Sequence, residues 1–550
     1  MNLLSVFQSQ SRFFYSALLI LGISNSILFS GILLFVNLKI SHQDLPFFPE
    51  YDWLIFVFLL AASILTSRIF QGYVIRLTNA ITFNFEITIL KKIRDTTFPA
   101  FQKVGIQKIY TGLEDTRILG QLPESFINVI NAFIVIACGV GYLFWVSPLG
   151  ALGIIGIMAG LLVIYLARNR NIEARLDKLR DLQDSFHKYV RDLLMGFREI
   201  KMSSRRSKRI YEWFILNNRK AGRQLNTEAS IKYLDNELTG RYSWYLVLGS
   251  VFFILPVFLK LKSEDVTAFA VTILYLMGPV AILVAVLPYY TRVKIALKRL
   301  DQLDSQIDSA MKESETKEKQ LPDGEFQSLT LENVTFDYFN ESAGRFFKLG
   351  PISIDIVKGE LIFLTGGNGS GKSTFVNILT GLYQPSSGRI YYNNIEITPE
   401  LFSSYRDRFA AVFSDGYLLN ENYDEFDLSQ SNEELVENIR FMRMEGIFKI
   451  KDTYIDKDVS KGQSKRVALI TALLEQKSLI VLDEWAAEQD PEFKKYFYAD
   501  ILQKFKAAGK TLLVVTHDDR YFETATRVVK FEYGKIISDV PVEVKSYQTF

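Results

Sequence analysis

The sequence predicts an all-α membrane domain of six spanning helices, followed by an α/β domain that carries a phosphate-binding loop. Long apolar runs with almost no charge occupy the first half of the chain, and the remainder reads as a soluble α/β protein. A glycine-rich stretch, residues 366–374, lies between an apolar strand pattern and a helical one. Residues 479–491, "LIVLDEWAAEQDP", place aliphatic residues directly before the carboxylates Asp483 and Glu484. A chain of 550 residues is long enough for two or more domains.

Composition narrows the classes of partner and site. The net charge is +2, which gives no electrostatic reason to expect a nucleic-acid partner. The single cysteine, Cys138, cannot form an intrachain disulfide or a cysteine metal cluster. Because Cys138 lies within an apolar run, we expect it to be a small membrane-buried residue.

Six apolar runs are long enough to cross a bilayer as helices, which requires about 20 mainly apolar residues. The first run is too long for the core of a signal peptide, and no small-residue cleavage site follows it. Pro148 divides a charge-free stretch into two spans joined by a tight turn. The predicted spans are residues 13–36, a run from Trp53 past Arg68, the two halves of 125–167, a run from Tyr242, and residues 266–291.

Lysine and arginine are concentrated in two loops, which places these loops on the cytoplasmic side. One loop is residues 168–241, and the other follows the second span and carries Lys91, Lys92 and Arg94. Both termini are therefore predicted to be cytoplasmic. Helical periodicity continues through both loops, so the helices should extend well below the membrane. Their basic tips would contact whatever lies beneath, or would attract anionic lipid headgroups.

The predicted spans contain almost no ionisable side chain, which argues against a proton or metal-ion path. Polar residues do occur in them, and we expect these to join helices by hydrogen bonds rather than to bind substrate. They are Asn25, Ser26, Asn128 and Asn131.

A charged segment with few apolar residues separates the membrane region from the α/β region. The predicted boundaries are 1–305 for the transmembrane domain, 306–326 for the charged linker and 327–550 for the nucleotide-binding domain.

The glycine-rich stretch "GGNGSGKST" has the G-x-x-x-x-G-K-[ST] pattern in the strand–loop–helix context that a phosphate-binding loop requires. Its glycines allow successive backbone N–H groups to converge on phosphate oxygens, and the helix N-terminus adds its dipole. Lys372 is placed to reach the β- and γ-phosphates, and Ser373 to ligate Mg²⁺. The predicted nucleotide-binding residues of this loop are Gly366, Gly367, Asn368, Gly369, Ser370, Gly371, Lys372, Ser373 and Thr374.

The adjacent carboxylates fit the same site. We expect Asp483 to hold the magnesium ion and Glu484 to orient or deprotonate the attacking water. Ser460 and Gly462 open a strongly helical segment, so their N–H groups can also face a phosphate. His517, at the end of another apolar strand, either contacts a γ-phosphate or is structural. Tyr338 either stacks on adenine or belongs to the core.

Taken in order, "GGNGSGKST", "VSKGQ", "LIVLDE", "EQD" and "VVTHD" resemble the ATP-binding cassette of ABC transporters. The resemblance covers the whole chain, because six spans followed by one cassette look like a type IV, exporter-fold half-transporter. The implied fold is an all-α transmembrane domain followed by an α/β P-loop ABC nucleotide-binding domain. "AAVFSD", "SKGQSKR" and "LDEWAAEQDP" are similar to bacterial exporters of cyclic and lasso peptides, including the microcin and siderophore-peptide group.

The resemblance assigns roles by position. Ser460, Gly462 and Gln463 match the signature motif, which in the family acts on ATP held by the other subunit. Asp490 matches the acid of the D-loop, and His517 matches the switch histidine. Tyr338 matches the adenine-stacking tyrosine.

Two departures from the family pattern stand out. Val459 and Lys461 replace the leucine and the first glycine of the usual L-S-G-G-Q signature. Ser414 and Asp415 stand where the family has the Q-loop glutamine, which puts in question how ATP binding is coupled to the spans. We hypothesise that Ser414 reaches the metal shell through a water.

The resemblance implies an ATPase that uses ATP and Mg²⁺ and works as a homodimer with two equivalent sites in the bacterial inner membrane. The expected cargo is a compact amphipathic peptide, exported by alternating access, with an outer-membrane channel as a possible further partner. A lipid flippase or a hydrophobic-drug exporter on the same fold remains an alternative. An importer, or an ATP-gated channel or regulator that transports nothing, is another.

Overall fold

The structure is a computed structural model that describes residues 12–40, 51–308, 319–340, 345–419, 421–447, 450–451, 454–455 and 459–542. Residues 41–50, between the first two predicted spans, and residues 309–318, half of the predicted linker, lie outside the described residues, so the linker boundaries 306–326 stay a prediction. The chain divides into two compact units. One contains the described residues up to Ile87 together with Thr111–Asp301, and the other contains Thr88–Tyr110 together with the described residues from Gln302 onward.

The described residues from Arg12 to Asp308 are mainly helical. In chain order the helices are α1 (Arg12–Ile40), α2 (Asp52–Arg94), α3 (Phe98–Val104), α4 (Ile106–Gly120), α5 (Leu122–Val146), α6 (Pro148–Met195), α7 (Phe197–Lys201), α8 (Ser204–Arg209), α9 (Asn217–Gly249), α10 (Leu255–Leu259) and α11 (Ser263–Asp308). Two π-helical turns, Ile210–Leu216 and Ser250–Ile254, precede and follow α9.

Six of these helical segments are long and apolar enough to cross a membrane, which confirms the predicted number of spans. They are Ser16–Ile40, Asp52–Arg94, Ile106–Val146, Pro148–Tyr165, Ser204–Leu259 and Ser263–Val286. The 48 residues of α6 give it a length of about 72 Å, more than twice the hydrocarbon thickness of a bilayer. The helix therefore continues beyond its span, as the periodicity predicts.

The predicted turn near Pro148 is confirmed. Ser147 has an extended backbone conformation, and its hydroxyl accepts a hydrogen bond from the backbone N–H of Gly150 at 3.3 Å. Pro148 occupies the first helical position, where its missing N–H costs nothing. This N-cap ends α5 and starts α6 within one residue.

Two of the predicted polar residues of the spans join helices as expected. The Ser26 hydroxyl on α1 donates to the Asn131 side-chain oxygen on α5 at 3.0 Å. Ser26 is buried, so this hydrogen bond satisfies groups that would otherwise be unpaired inside the helix packing.

The second unit contains the predicted α/β domain, built on three sheets. The strands are β1 (Ser328–Asn340), β2 (Arg345–Val357), β3 (Leu361–Gly366), β4 (Ser387–Tyr392), β5 (Ile395–Glu396), β6 (Phe409–Val412), β7 (Ile450–Lys451), β8 (Tyr454–Ile455), β9 (Leu479–Asp483), β10 (Thr511–Val515), β11 (Arg527–Glu532) and β12 (Lys535–Pro541). The helices that follow the membrane region are α12 (Lys372–Leu379), α13 (Phe402–Arg406), α14 (Glu433–Phe441), α15 (Lys461–Leu474), α16 (Pro491–Tyr496) and α17 (Leu502–Ala507).

The central sheet has the strand order β12-β11-β3-β10-β9-β6, and all of its neighbouring pairs are parallel except β12 with β11. Strands β9 and β10 are buried along their whole length, which explains their unbroken aliphatic sequences. A second, antiparallel sheet has the order β2-β1-β4-β5. A third, two-stranded sheet pairs β7 with β8. Apolar side chains fill the space between the first two sheets, and a second apolar core lies under α14–α17.

The short helix α3 lies in the same compact unit as the α/β domain. The Tyr383 hydroxyl donates to the Gln102 side-chain oxygen at 2.7 Å. The Tyr383 ring lies 5.9 Å from the ring of Phe98 and stacks on Phe336 of β1 at 4.9 Å. Lys92 forms an ion pair with Asp304, the charged end of α11. The basic loop that follows the second span contains α3, and it therefore contacts the α/β domain. This is one of the two alternatives that the sequence predicts.

Candidate nucleotide-binding site

The phosphate-binding loop connects β3 to α12 at the carboxyl edge of the central sheet. Gly366 has φ +147°, and a Cβ there would lie 2.3 Å from the Phe531 carbonyl oxygen, so only glycine fits. Gly371 precedes α12 with φ +105°, and no side chain caps this helix end. The first N–H groups of α12 are therefore free to bind an anion.

Lys372 is 5% exposed and folds back over the loop. Its ammonium donates to the carbonyl oxygens of Gly366 at 2.8 Å and Gly367 at 3.1 Å. Burial lowers the pKa of Lys372, and the nearby carboxylates of Glu484 and Asp483 oppose this shift. The structure thus brings the lysine of the loop and both predicted carboxylates into one site. Ser373 lies in the first turn of α12 with an exposed side chain.

Asp483 ends β9 and is 3% exposed. Desolvation raises the pKa of its carboxyl group, whereas hydrogen bonds from the Ser414 hydroxyl and backbone lower it. Its Oδ1 atom is buried and has no hydrogen-bond partner among the described residues. This unpartnered carboxylate oxygen, close to the exposed hydroxyl of Ser414, fits a magnesium site. No cluster of three histidine, cysteine or carboxylate side chains occurs in the described parts of the chain, so phosphate and water oxygens would complete the shell.

Glu484 follows Asp483 in a left-handed backbone conformation, with φ 48° and ψ 36°. Its backbone N–H donates to the Val515 carbonyl oxygen at 3.2 Å. Its Oε1 atom lies 3.3 Å from Nε2 of His517, which follows β10. Both side chains are partly exposed, at 36% for Glu484 and 45% for His517, so water can reach them. This geometry would allow the Glu484 carboxylate to accept a proton from the attacking water while the His517 imidazole contacts the γ-phosphate.

The segment predicted as the signature forms the N-terminus of α15. The Ser460 side chain accepts from the Gln463 backbone N–H, and the Gln463 side chain accepts from the Ser460 backbone N–H. This reciprocal capping box explains the spacing of the two residues. A Cβ at Gly462 would lie 2.7 Å from the Glu488 carbonyl oxygen, which requires glycine. The Lys461 side chain is 88% exposed. The position that holds glycine in the family signature therefore accommodates a lysine here.

Asp490 has contacts within its own chain that the sequence did not reveal. Its carboxylate caps α16 by accepting from the Phe493 N–H at 2.8 Å, and it pairs with Arg466 at 3.1 Å. The capping hydrogen bond from the Phe493 backbone is the main reason why the pKa of Asp490 is lowered, and the Arg466 charge adds to it. Any role of Asp490 towards a second subunit stays a prediction.

Tyr338 lies in β1 opposite Phe347 of β2, and its side chain is outside the described part of the structure. The Phe347 ring would lie 3.2 Å from a Cβ at Gly371. The strand that carries Tyr338 is therefore adjacent to the strand that touches the phosphate loop, which is compatible with an adenine contact.

Four residues around α15 were missed by sequence reasoning. Lys465 and Arg466 come directly after the signature, and Trp485 and Gln489 lie in the stretch that contains the paired carboxylates. Lys465 bonds to the Glu484 backbone, Trp485 to the Lys465 backbone and Gln489 to the Gly462 backbone, and Arg466 pairs with Asp490. These contacts depend on how closely α15 approaches the end of β9, which no local pattern specifies. The one sequence signal for these contacts was Trp485, a large aromatic residue within a short polar stretch at the end of a strand.

Comparison with known proteins agrees with this geometry. Residues 349–487 match the ABC transporter family. The chain is 31% identical over 481 residues to the ATP-binding protein SyrD of Pseudomonas syringae pv. syringae, which covers 84% of this chain and 83% of that protein. It is 33% identical over 227 residues to the energy-coupling factor transporter ATP-binding protein EcfA2 of Clostridium tetani, covering 38% of this chain and 78% of that protein.

A solved structure of a bacterial Atm1-family ABC exporter with ATP bound has the same fold, with a TM-score of 0.69 and 16% identity over 96% of this chain and 95% of that one. The predicted fold class, six spans followed by an α/β cassette, is confirmed. The chain therefore belongs to the ABC transporter family, as a multi-pass, exporter-fold half-transporter whose cassette binds ATP and couples its hydrolysis to transport.

Proposed function

We propose that this chain forms a homodimeric, Mg²⁺-dependent exporter that moves a compact amphipathic peptide, cyclic or threaded, out of the bacterial cytoplasm through the inner membrane. One observation carries the homodimeric ATPase in this proposal. A single chain combines six spanning helices, one set of ATPase side chains around Lys372 and Glu484, and a signature end with an exposed Ser460. The signature end of each chain would complete the ATP site of the other.

The reaction follows from the placement of this chain's own side chains. Lys372 binds the β- and γ-phosphates after exchanging its two carbonyl acceptors for phosphate oxygens. Asp483 and Ser373 would hold Mg²⁺, which neutralises charge on the phosphates when bound. Glu484 accepts a proton from the attacking water, and His517, 3.3 Å away, contacts the γ-phosphate.

Transport requires that ATP binds one arrangement of the dimer more tightly than the other. The hydrogen bond between Tyr383 and Gln102 of α3 joins the cassette directly to the basic loop that follows the second span. Because Ser414 replaces the usual Q-loop glutamine, this connection is a route for coupling that does not depend on that glutamine.

The peptide cargo is supported by the sequence resemblance and by the scarcity of charge in the spans, which disfavours ions as cargo. Ser26 and Asn131, two of the polar residues in the spans, bond to each other. The Ser26 hydroxyl proton and the Asn131 side-chain oxygen are therefore engaged in helix packing.

The test is the ATPase activity of purified protein in lipid nanodiscs, with a panel of cyclic and threaded peptides and linear peptides of the same sequences. Glu484→Gln is the blank. Saturable stimulation by some folded peptides, but not by their linear forms, supports the proposal. A basal rate that ignores every peptide but responds to lipid composition would replace it with a lipid flippase.

Export itself is measured with inside-out proteoliposomes. ATP-dependent accumulation of a stimulating peptide inside the vesicles supports export. ATP-dependent loss of preloaded peptide from the same vesicles would reverse the direction and make the protein an importer.

A further inference from the structure

The backbone of Glu484 is held in place by a residue from another element. A non-glycine residue is strained in the left-handed region, so neighbouring contacts have to maintain that conformation. The Glu484 carbonyl oxygen accepts a hydrogen bond from the Lys465 ammonium at 2.9 Å. Lys465 lies near the start of α15, just after the signature residues.

A second hydrogen bond runs in the opposite direction between the same two segments. The Trp485 indole N–H donates to the Lys465 backbone carbonyl at 2.7 Å. The Trp485 ring is fully buried and stacks on Phe497 at 4.4 Å between ring centroids. The indole therefore fixes the position of residue 465, and the side chain of residue 465 fixes the peptide that follows Glu484.

From this pair of contacts we infer that Lys465 is a positioning residue for the base Glu484, with Trp485 as its anchor. The inference rests on the proposed role of Glu484 as the base. The Lys465 ammonium reaches the backbone of Glu484 and not its carboxylate. It therefore acts by setting the backbone torsions, and with them the direction in which the carboxylate points.

The charge of Lys465 is used for this contact. Within the described residues, Lys465 forms no ion pair, and the Glu484 carbonyl is the acceptor of its ammonium. Arg466, the next residue, uses its charge elsewhere, on Asp490 and over the Phe493 ring at 3.4 Å. Two neighbouring cations of α15 thus hold two different points of the segment that follows β9.

The test compares Lys465→Met, which keeps the length of the side chain and removes the donor, with Lys495→Met, an exposed lysine on α16. A misplaced reacting group of about 1 Å lowers turnover by about 100-fold, so we expect Lys465→Met to lower kcat by about 10- to 100-fold. The KM for ATP should stay within twofold of wild type, because Lys465 does not contact the phosphate loop. Lys465→Arg, which retains a donor, should restore part of kcat.

Trp485→Phe keeps most of the buried ring and removes the indole N–H, so it should lower kcat in the same direction but by less. This variant also serves if Lys465→Met fails to fold. A kcat for both Lys465→Met and Trp485→Phe equal to that of Lys495→Met would overturn the inference. An increase in KM with unchanged kcat would also overturn it, because it would place Lys465 in nucleotide binding.

A double variant distinguishes positioning of the base from a separate effect. If Lys465 acts through Glu484, adding Lys465→Met to Glu484→Gln produces no further loss of residual hydrolysis. Multiplication of the two losses would refute the inference while leaving Glu484 as the base. Wild-type turnover in Glu484→Gln alone would instead remove the proposed function on which the inference depends.

Discussion

At Asp483 a carboxylate is almost fully buried, with one oxygen that has no partner among the described residues. Desolvation raises the pKa of this group above its value in an unfolded chain. Because the pKa is raised, the contribution of Asp483 to the free energy of unfolding is most favourable at low pH, where the group is protonated in both states. That contribution is lost as the pH rises through the pKa of the folded state. Ionisation of Asp483, at a pH above this raised pKa, therefore destabilises the nucleotide-free protein, and a bound cation would offset that loss.

Asp483→Asn should stabilise the nucleotide-free protein while abolishing Mg²⁺-dependent ATP hydrolysis. Removal of this buried charge should raise the melting temperature at neutral pH, by about 2–4 °C for each kcal/mol of stability gained in a domain of this size. The gain should shrink at acid pH, where the wild-type carboxyl is protonated. The measurement is thermal unfolding in nanodiscs across pH, and a wild-type protein more stable than the variant at neutral pH would contradict this account.

The contact of Ser414 with the Asp483 carboxyl group leads to a second prediction. Its hydroxyl lowers the pKa of Asp483. Ser414→Ala should therefore raise that pKa further, and protons would compete better with Mg²⁺. We expect the acid limb of the ATPase pH profile to move to higher pH and the Mg²⁺ concentration for half-maximal activity to increase. Ser429→Ala, in an exposed loop, is the control. An unchanged Mg²⁺ dependence would exclude a role of Ser414 in the metal shell.

At the scale of elements, the sequence predicts those parts whose signal is local. Aliphatic β9, the glycine spacing of the phosphate loop and the Ser147–Pro148 helix start all depend on residues that are neighbours in sequence. The contacts of Lys465 and Trp485 depend on two elements that meet only after folding. The interaction of α3 with Tyr383 could not be predicted for the same reason, because Gln102 and Tyr383 are separated by 281 residues.

The hydrogen bond between Tyr383 and Gln102 makes the attachment of α3 testable. Tyr383→Phe keeps the ring contacts with Phe98 and Phe336 and removes one hydrogen bond worth about 1 kcal/mol. Hydrogen exchange of peptides that cover residues 98–104 should become about fivefold faster. Gln102→Leu should have the same effect, and the double variant should add nothing. Tyr533→Phe, at an exposed turn, is the control. Exchange rates equal to those of the control would show that this hydrogen bond does not hold the loop.

At the scale of the whole molecule, one chain carries one phosphate loop and one signature. Ser460 is exposed, and its backbone and side chain are already satisfied by Gln463. The capping box uses the N–H groups of Ser460 and Gln463, so the N–H groups of Lys461 and Gly462, which lie between them, are the ones that would face a phosphate held by a second chain. The proposed homodimer uses this end at the ATP site of the second chain.

Mixed dimers test whether each site combines two chains. Ser460→Asp keeps a good N-cap and places a negative charge towards phosphate, whereas Lys372→Ala disables the phosphate loop. If the sites are shared, a dimer of one Lys372→Ala chain and one Ser460→Asp chain concentrates both defects in one site and keeps the other intact. It should therefore hydrolyse ATP at up to half the wild-type rate.

The matched control places both substitutions on one chain and pairs it with a wild-type chain. Shared sites would then each contain one defect, so this dimer should be inactive although it carries the same two substitutions. The two dimers are purified with different tags on the two chains, and their ATPase rates are compared in nanodiscs. If each chain used its own signature, the order of activity would reverse, because the wild-type chain would keep a complete site. The sign of this difference therefore decides how the half-transporter assembles its catalytic site.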